Sequence, residues 1–161
     1  MATEDPKREM LRHTIATLAY RGGKAVRDAP DSFADFRASE TTRTPAQILA
    51  HIGDLLDWVL TMAKGAEAWR DSEPQSWDQD VERFHASLAR LDVYLASEEE
   101  LGCTAERLFQ GAIADALTHV GQLTMLRRIA GTPMRSENYS KADIQRGRVG
   151  AEQTAPRREF D

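Results

Sequence analysis

A single cysteine, Cys103, stands in 161 residues, so no disulfide can form within the chain and a core must hold the fold. A reducing compartment is the expectation. No apolar run approaches the roughly 18 to 20 residues of a membrane span, so no membrane association is expected. The opening residues, MATEDPKREML, carry acids where a secretory leader wants bases, and no apolar stretch follows them. A basic stripe is missing too. Lys and Arg number 21 against 26 Asp and Glu, a net charge of −5, which suits a phosphate backbone poorly and argues against nucleic acid as a partner. Nowhere do apolar and polar residues alternate over several positions with β-branched enrichment, so strand signals are nearly absent. These absences point to a soluble, cytoplasmic, helical protein.

What is present fits one domain with a real core: 41% of residues are hydrophobic and 29% charged, an ordinary globular balance. The first helical segment covers about residues 5–28, with Met10, Ile15, Leu18 and Val26 along one side and an interruption near Gly22-Gly23. Pro30 follows it, and residues 30–43 read as a connecting loop. In TPAQILAHIGDLLDWVLTMAKG, Thr44 and Gln47 form a capping box, Pro45 suits the first turn, and Gly65 closes the helix. Ile48, Ile52, Leu55, Leu56, Val59 and Met62 follow the helical period and mark its core face. SWDQDVERFHASLARLDVYLAS repeats the logic, with Ser76 and Gln79 as the box and Phe84, Leu88, Leu91 and Leu95 as the stripe. Thr104 caps a short turn that Gly111 is expected to break, so the main fourth helix starts at Ala112 and ends at Gly131, with Pro133 beyond. The remainder has few apolar residues and little period. It is expected to lie across the bundle or hang loose, with a short turn at residues 141–145 and with Arg146, Arg148, Arg157 and Arg158 solvated. Four amphipathic helices argue for an all-α four-helix bundle over residues 1–135 with an irregular C-terminal tail over 136–161.

Bundles build metal and cofactor sites from side chains on facing helices. The four histidines, His13, His51, His85 and His119, fall one to a helix. In IADALTHVGQLTMLRRIAG, Asp115, His119 and Gln122 stand four and three residues apart, which places them on one side of the helix, about 5 to 6 Å between neighbouring Cβ atoms. With His51 from a facing helix, Asp115 and His119 make a three-point site with open positions, suited to zinc, nickel or iron. Gln122 is then the partner of a ligand or a substrate contact. The competing reading is an intrahelical Asp–His pair, with His51 a boundary histidine satisfied by Asp54.

TPAQILAHIGDLLDWVL and DALTHVGQLTMLRRIAGTP together resemble the DinB/YfiT-like family of four-helix proteins. The likeness covers most of the chain, and His119 to Leu123 is its most specific part. The resemblance implies an up-down-down-up bundle that binds a divalent metal, nickel or zinc first and iron or manganese next, through His51, Asp115 and His119. Where the commoner family pattern has histidine this chain has Asp115, which keeps a ligand but moves the site towards harder metals. The resemblance also implies a transferase that joins a low-molecular-weight thiol to a small electrophilic substrate, with Gln122 as the orienting catalytic residue, and a homodimer. The alternative is a non-catalytic bundle acting through dimerisation or ligand binding, with a vestigial metal site.

Other residues carry paired readings. Cys103, before a helix N-terminus, is an inert thiol or one whose pKa the dipole lowers. Trp58, Trp69 and Trp77 are core packing or the rim of a pocket. Arg127 and Arg128 complement the helix dipole or anchor an anionic substrate.

Overall fold

A computed structural model of the chain describes residues 5–160. Helix α1 (Pro6–Val26) starts on Asp5, whose side chain accepts from the Lys7 amide, and Pro6 occupies the first turn, where no N–H is needed. Its inward stripe is Leu11, Ile15 and Leu18, all buried. Met10, expected on that stripe, is 65% exposed. It lies about 100° round the helix from Leu11, which takes the inward place. The interruption expected at Gly22-Gly23 does not occur. The helix runs through, and Gly22 instead admits Phe84, whose ring comes within 2.6 Å of where a Cβ would stand.

Helices α2 (Pro45–Ala63) and α3 (Trp77–Ala96) open on the two capping boxes legible in the sequence, Thr44 with Gln47 and Ser76 with Gln79. Every apolar position read as core on these two helices is buried. The fourth rod is composite. Thr104 caps α4 (Ala105–Leu108), a π-helical turn spans Phe109–Ile113, and α5 (Ala114–Ile129) continues from it. The break expected at Gly111 is therefore a widened turn within an unbroken helix. Gly131, at φ +77°, ends the rod in the left-handed region as a C-terminal glycine should.

The class is all-α: the described residues form four helical rods and one two-stranded sheet. Helix α1 packs on α3 and α5, and α2 packs on the same two, so α1 and α2 take opposite corners and residues 27–44 connect them. Arg12 pairs with Asp92 at 2.9 Å between α1 and α3, and Arg83 pairs with Asp54 at 2.8 Å between α2 and α3. At the far end of α2 the backbones of Gly65 and Gly102 touch: a Cβ on Gly102 would lie 2.2 Å from the Gly65 Cα, and the Gly102 amide donates to the Ala63 carbonyl at 2.7 Å. That contact sets α2 against the start of the fourth rod. No helix among the described residues is long and apolar enough to cross a membrane.

The C-terminal residues depart from a loose, strandless tail. Strands β1 (Ser136–Glu137) and β2 (Glu159–Phe160) pair antiparallel, and a 3₁₀ turn forms at Tyr139–Lys141, ahead of the position expected for a turn. Glu137 is buried and accepts from Tyr20 Oη at 2.6 Å and Lys24 Nζ at 2.8 Å, while Lys24 also reaches Glu159 at 2.9 Å. These ion pairs lie deep enough for geometry to matter, unlike exposed ones. Val149 is buried in the core, and its carbonyl lies 3.3 Å from His85 Nδ1. The basic residues are not simply solvated, since Arg146 pairs with Glu9 and both Arg148 and Arg157 approach Asp143.

Two glycines test this packing in opposite directions. Gly102→Ala is expected to cost more than about 3 kcal/mol, since backbone rather than a flexible side chain blocks the new Cβ. Gly121→Ala, inside α5 with nothing within 4 Å of its Cβ position, is expected to gain about 0.5–1 kcal/mol from helix propensity. Urea denaturation of both variants checks the pair; equal effects would contradict the Gly65–Gly102 contact.

Candidate metal centre

The centre follows from two distances along two helices. His51 lies fourteen residues before Gly65, and Asp115 and His119 lie thirteen and seventeen residues after Gly102. At about 1.5 Å per residue these are roughly 21 Å, 20 Å and 25 Å from the same glycine contact, so the three side chains arrive level with one another. The facing stripes of α2 and α5 are core, and the three polar groups sit where that interface meets the surface.

The structure brings all three together. His51 Nε2 is 3.8 Å from one Asp115 carboxylate oxygen, and His119 Nε2 is 3.5 Å from the other. The two imidazoles stand perpendicular, ring centres 4.8 Å apart. One donor atom from each residue can be chosen so that all lie within 4.8 Å of one another, the one such group among the described residues. Donors sharing an ion at bonds of about 2.0–2.2 Å sit roughly 3.3–4.2 Å apart, so small side-chain rotations close the set. The imidazoles are mostly buried, with side-chain exposures of 19% for His51 and 13% for His119, whereas Asp115 is half exposed at 48%, which leaves one side open to solvent.

Gln122 does not project freely into space. Its amide oxygen lies 2.7 Å from His119 Nδ1. An amide oxygen only accepts, so Nδ1 is the donor in this contact, and Nε2 is left turned towards Asp115 and His51. Burial pushes the His51 pKa below the ordinary imidazole value, helped by His119 and by the positive field of Arg43, against the opposing pull of Asp115. The uncharged ring is the form that binds cations.

Around this centre, Trp69 stacks edge-on against His51 at 5.7 Å and against Trp58 at 5.6 Å. Trp77 lies elsewhere, on Phe33. On the other flank a cleft of about 590 Å³ opens, lined by His51, His119 and Gln122 at one end and by Ile48, Met125, Leu126 and Ile129 along its length. Thr42 and Arg43, just ahead of the α2 cap, also line it, at the end away from His51. Sequence reasoning missed Arg43 and the cleft, whose signals lie in a loop without period; the exposed apolar pair Met125 and Ile129 on α5 was the one available hint.

Other site expectations change. Asp54 is not the partner of His51: it is held by Arg83 at 2.8 Å and by the Ser72 amide at 2.9 Å. Gly53 makes this possible, because a Cβ there would meet the Arg83 guanidinium at 2.8 Å. Arg127 neither faces solvent nor the cleft. It is buried and donates to the carbonyls of Ala25, Arg27 and Thr132, tying the end of α1 to α5. The Cys103 thiol is raised rather than lowered, chiefly by burial, so it is a poor nucleophile.

The fold and centre define a class: a four-helix bundle carrying two imidazoles and a carboxylate on facing helices beside an apolar cleft. The chain belongs to the DinB superfamily, whose family model matches residues 19–126, about two thirds of the chain, including the three residues of the centre and Gln122. Comparison with curated proteins and with solved structures gives no significant match.

Two half-buried histidines make stability fall on the acid side. His51 and His85 both have pKa values lowered from 6.5, in each case mainly by burial. The unfolded chain therefore takes up protons first as pH falls, so stability is complete above about pH 6.5 and declines below it. Urea midpoints of metal-free protein are expected to drop between pH 7.5 and pH 5, and less steeply in His85→Phe. A midpoint that rises over this interval would contradict the burial.

Proposed function

We propose that the protein binds one divalent cation through His51 Nε2, Asp115 and His119 Nε2 and uses it in a transferase reaction between a low-molecular-weight thiol and a small electrophile. The single observation that carries the reading is the meeting of three donor atoms from two helices within 4.8 Å. Nickel and zinc are the leading candidates, with iron and manganese next, because two imidazoles and one carboxylate suit borderline metals. A bound cation of this kind supplies Lewis acidity and lowers the pKa of a coordinated water or thiol.

The chain's own residues do the rest. Gln122 fixes the His119 tautomer and ring angle. The lowered pKa of His51 keeps its nitrogen unprotonated at neutral pH. The apolar wall of the cleft offers a substrate a surface beside the centre, and the half-exposed Asp115 leaves the centre open to solvent. The catalytic assignment is Gln122, as the residue that orients the reacting end of the site.

The bundle is assigned the up-down-down-up order. Supporting it, Arg83 and Ser87 of α3 meet Asp54 and Asp57 of α2 in rising order, whereas Arg12 meets Asp92 and Gly22 meets Phe84 in falling order. Residues 1–135 are assigned to the bundle domain and 136–161 to a tail upon it. The second reading, a non-catalytic bundle acting as a homodimer or ligand binder, is favoured by one observation: among the described residues, no carboxylate lines the cleft to act as a general base.

Titration of untagged, chelator-stripped protein with Ni²⁺ or Zn²⁺ is expected to show one equivalent bound. His51→Ala and Asp115→Ala should lose stoichiometric binding, and Gln122→Leu should weaken it by about 10- to 100-fold. Metal at 100 times its Kd should add about 2.7 kcal/mol of stability to the wild type and nothing to His51→Ala. A wild type that binds no metal would end the reading. Metallated protein should accelerate conjugation of monochlorobimane with at least one small thiol beyond free metal; no acceleration across a thiol panel would favour the non-catalytic alternative.

A further inference from the structure

The cleft beside the centre has chemically distinct ends. At the inner end stand His51, His119 and Gln122. Along the length the wall is apolar, and two of its members, Met125 and Ile129, are 65% and 57% exposed. Large apolar side chains left open along a concave wall are what an apolar ligand body covers. At the outer end stands Arg43, exposed, with no hydrogen bond or ion pair among the described residues, although its charge is felt at His51. Arg83 and Arg127, by contrast, are engaged, Arg83 with Asp54 and Asp57 and Arg127 with backbone carbonyls. Arg43 precedes the Thr44 cap of α2 and lies eight residues before His51, which separates their Cα positions by on the order of 12 Å along the helix.

We propose that the cleft takes an elongated amphiphile with a carboxylate at one end, which Arg43 holds at the mouth, an apolar body along Ile48, Met125 and Ile129, and its opposite end presented to the His51, Asp115 and His119 group. The substrate class is thus an organic acid with an apolar chain. Guanidinium matches carboxylate in a two-pronged geometry that an ammonium lacks, and the carbon chain covers apolar surface that water now wets. The proposal rests on the reading of the centre as the reacting end, but recognition of the acid by Arg43 is a property of the cleft alone.

The test therefore uses metal-free protein and octanoate, followed by amide chemical shifts. Octanoate is expected to saturate and to shift Arg43, Ile48, Met125 and Ile129. Arg43→Gln should weaken it by about three- to tenfold, Arg43→Lys should restore part of the affinity, and Met125→Glu should abolish binding through an acid on the apolar wall. 1-Octanol should bind more weakly than octanoate to the wild type and equally to wild type and Arg43→Gln. Octanoate affinity unchanged in Arg43→Gln, or the absence of saturable binding at this wall, would overturn the proposal. Ni²⁺ titration is run on a second aliquot of the same stripped wild type: no metal binding with Arg43-dependent octanoate binding would sink only the metal reading, and metal binding with Arg43-independent octanoate binding only this one.

Discussion

The backbone contact between Gly65 and Gly102 governs the relation on which the centre depends. With no side chain on either residue, the end of α2 and the start of the fourth rod approach as closely as two peptides can, and the Gly102 amide closes the joint on the Ala63 carbonyl. From that joint the helices run side by side for comparable lengths, so a histidine on one meets an aspartate and a histidine on the other. The core stripes of α2 and α5, including Ile52, Leu56, Ala116 and Leu123, then hold the register over the whole distance. The site is a by-product of two helix lengths measured from one point.

The same interface explains the electrostatic character of the centre. Its imidazoles are largely withdrawn from water by the packed stripes, which for His51 favours the uncharged form, while Asp115 stays half exposed. Burying all three groups without a cation would leave polar atoms with poor partners, and exposing all three would lose the preorganised geometry. Gln122 resolves the remaining ambiguity, that of the His119 tautomer, by offering an oxygen to Nδ1.

Much of this was legible in the chain, and the parts that were not have a common cause. The capping boxes at Thr44 and Ser76, the core stripes of α2 and α3 and the stop at Gly131 are encoded within one turn or by one period, and each appears where read. Asp115, His119 and Gln122 were grouped by helical spacing, His51 was joined to them as the ligand from a facing helix, and the structure brings the three donors within 4.8 Å of one another. Features that depend on a distant partner escaped. Gly22 looked like a break because the Phe84 ring that fills its place is some sixty residues away. Asp54 looked like a partner for His51 until Arg83 from α3 took it. The short strands at Ser136 and Glu159 pair across a gap that no local period reports, and Lys24 of α1 helps to hold them. Arg43 lines the cleft and Trp69 packs on His51 from loops, where spacing carries no direction.

The central claim is that His51, Asp115 and His119 hold one cation together. X-ray absorption on protein loaded with one equivalent of Ni²⁺ tests it most directly. The account predicts outer-shell scattering from two imidazole rings with nitrogen and oxygen neighbours at about 2.0–2.2 Å, reduced to one ring in His51→Ala. A spectrum with only water-like oxygen neighbours and no imidazole signature would contradict it.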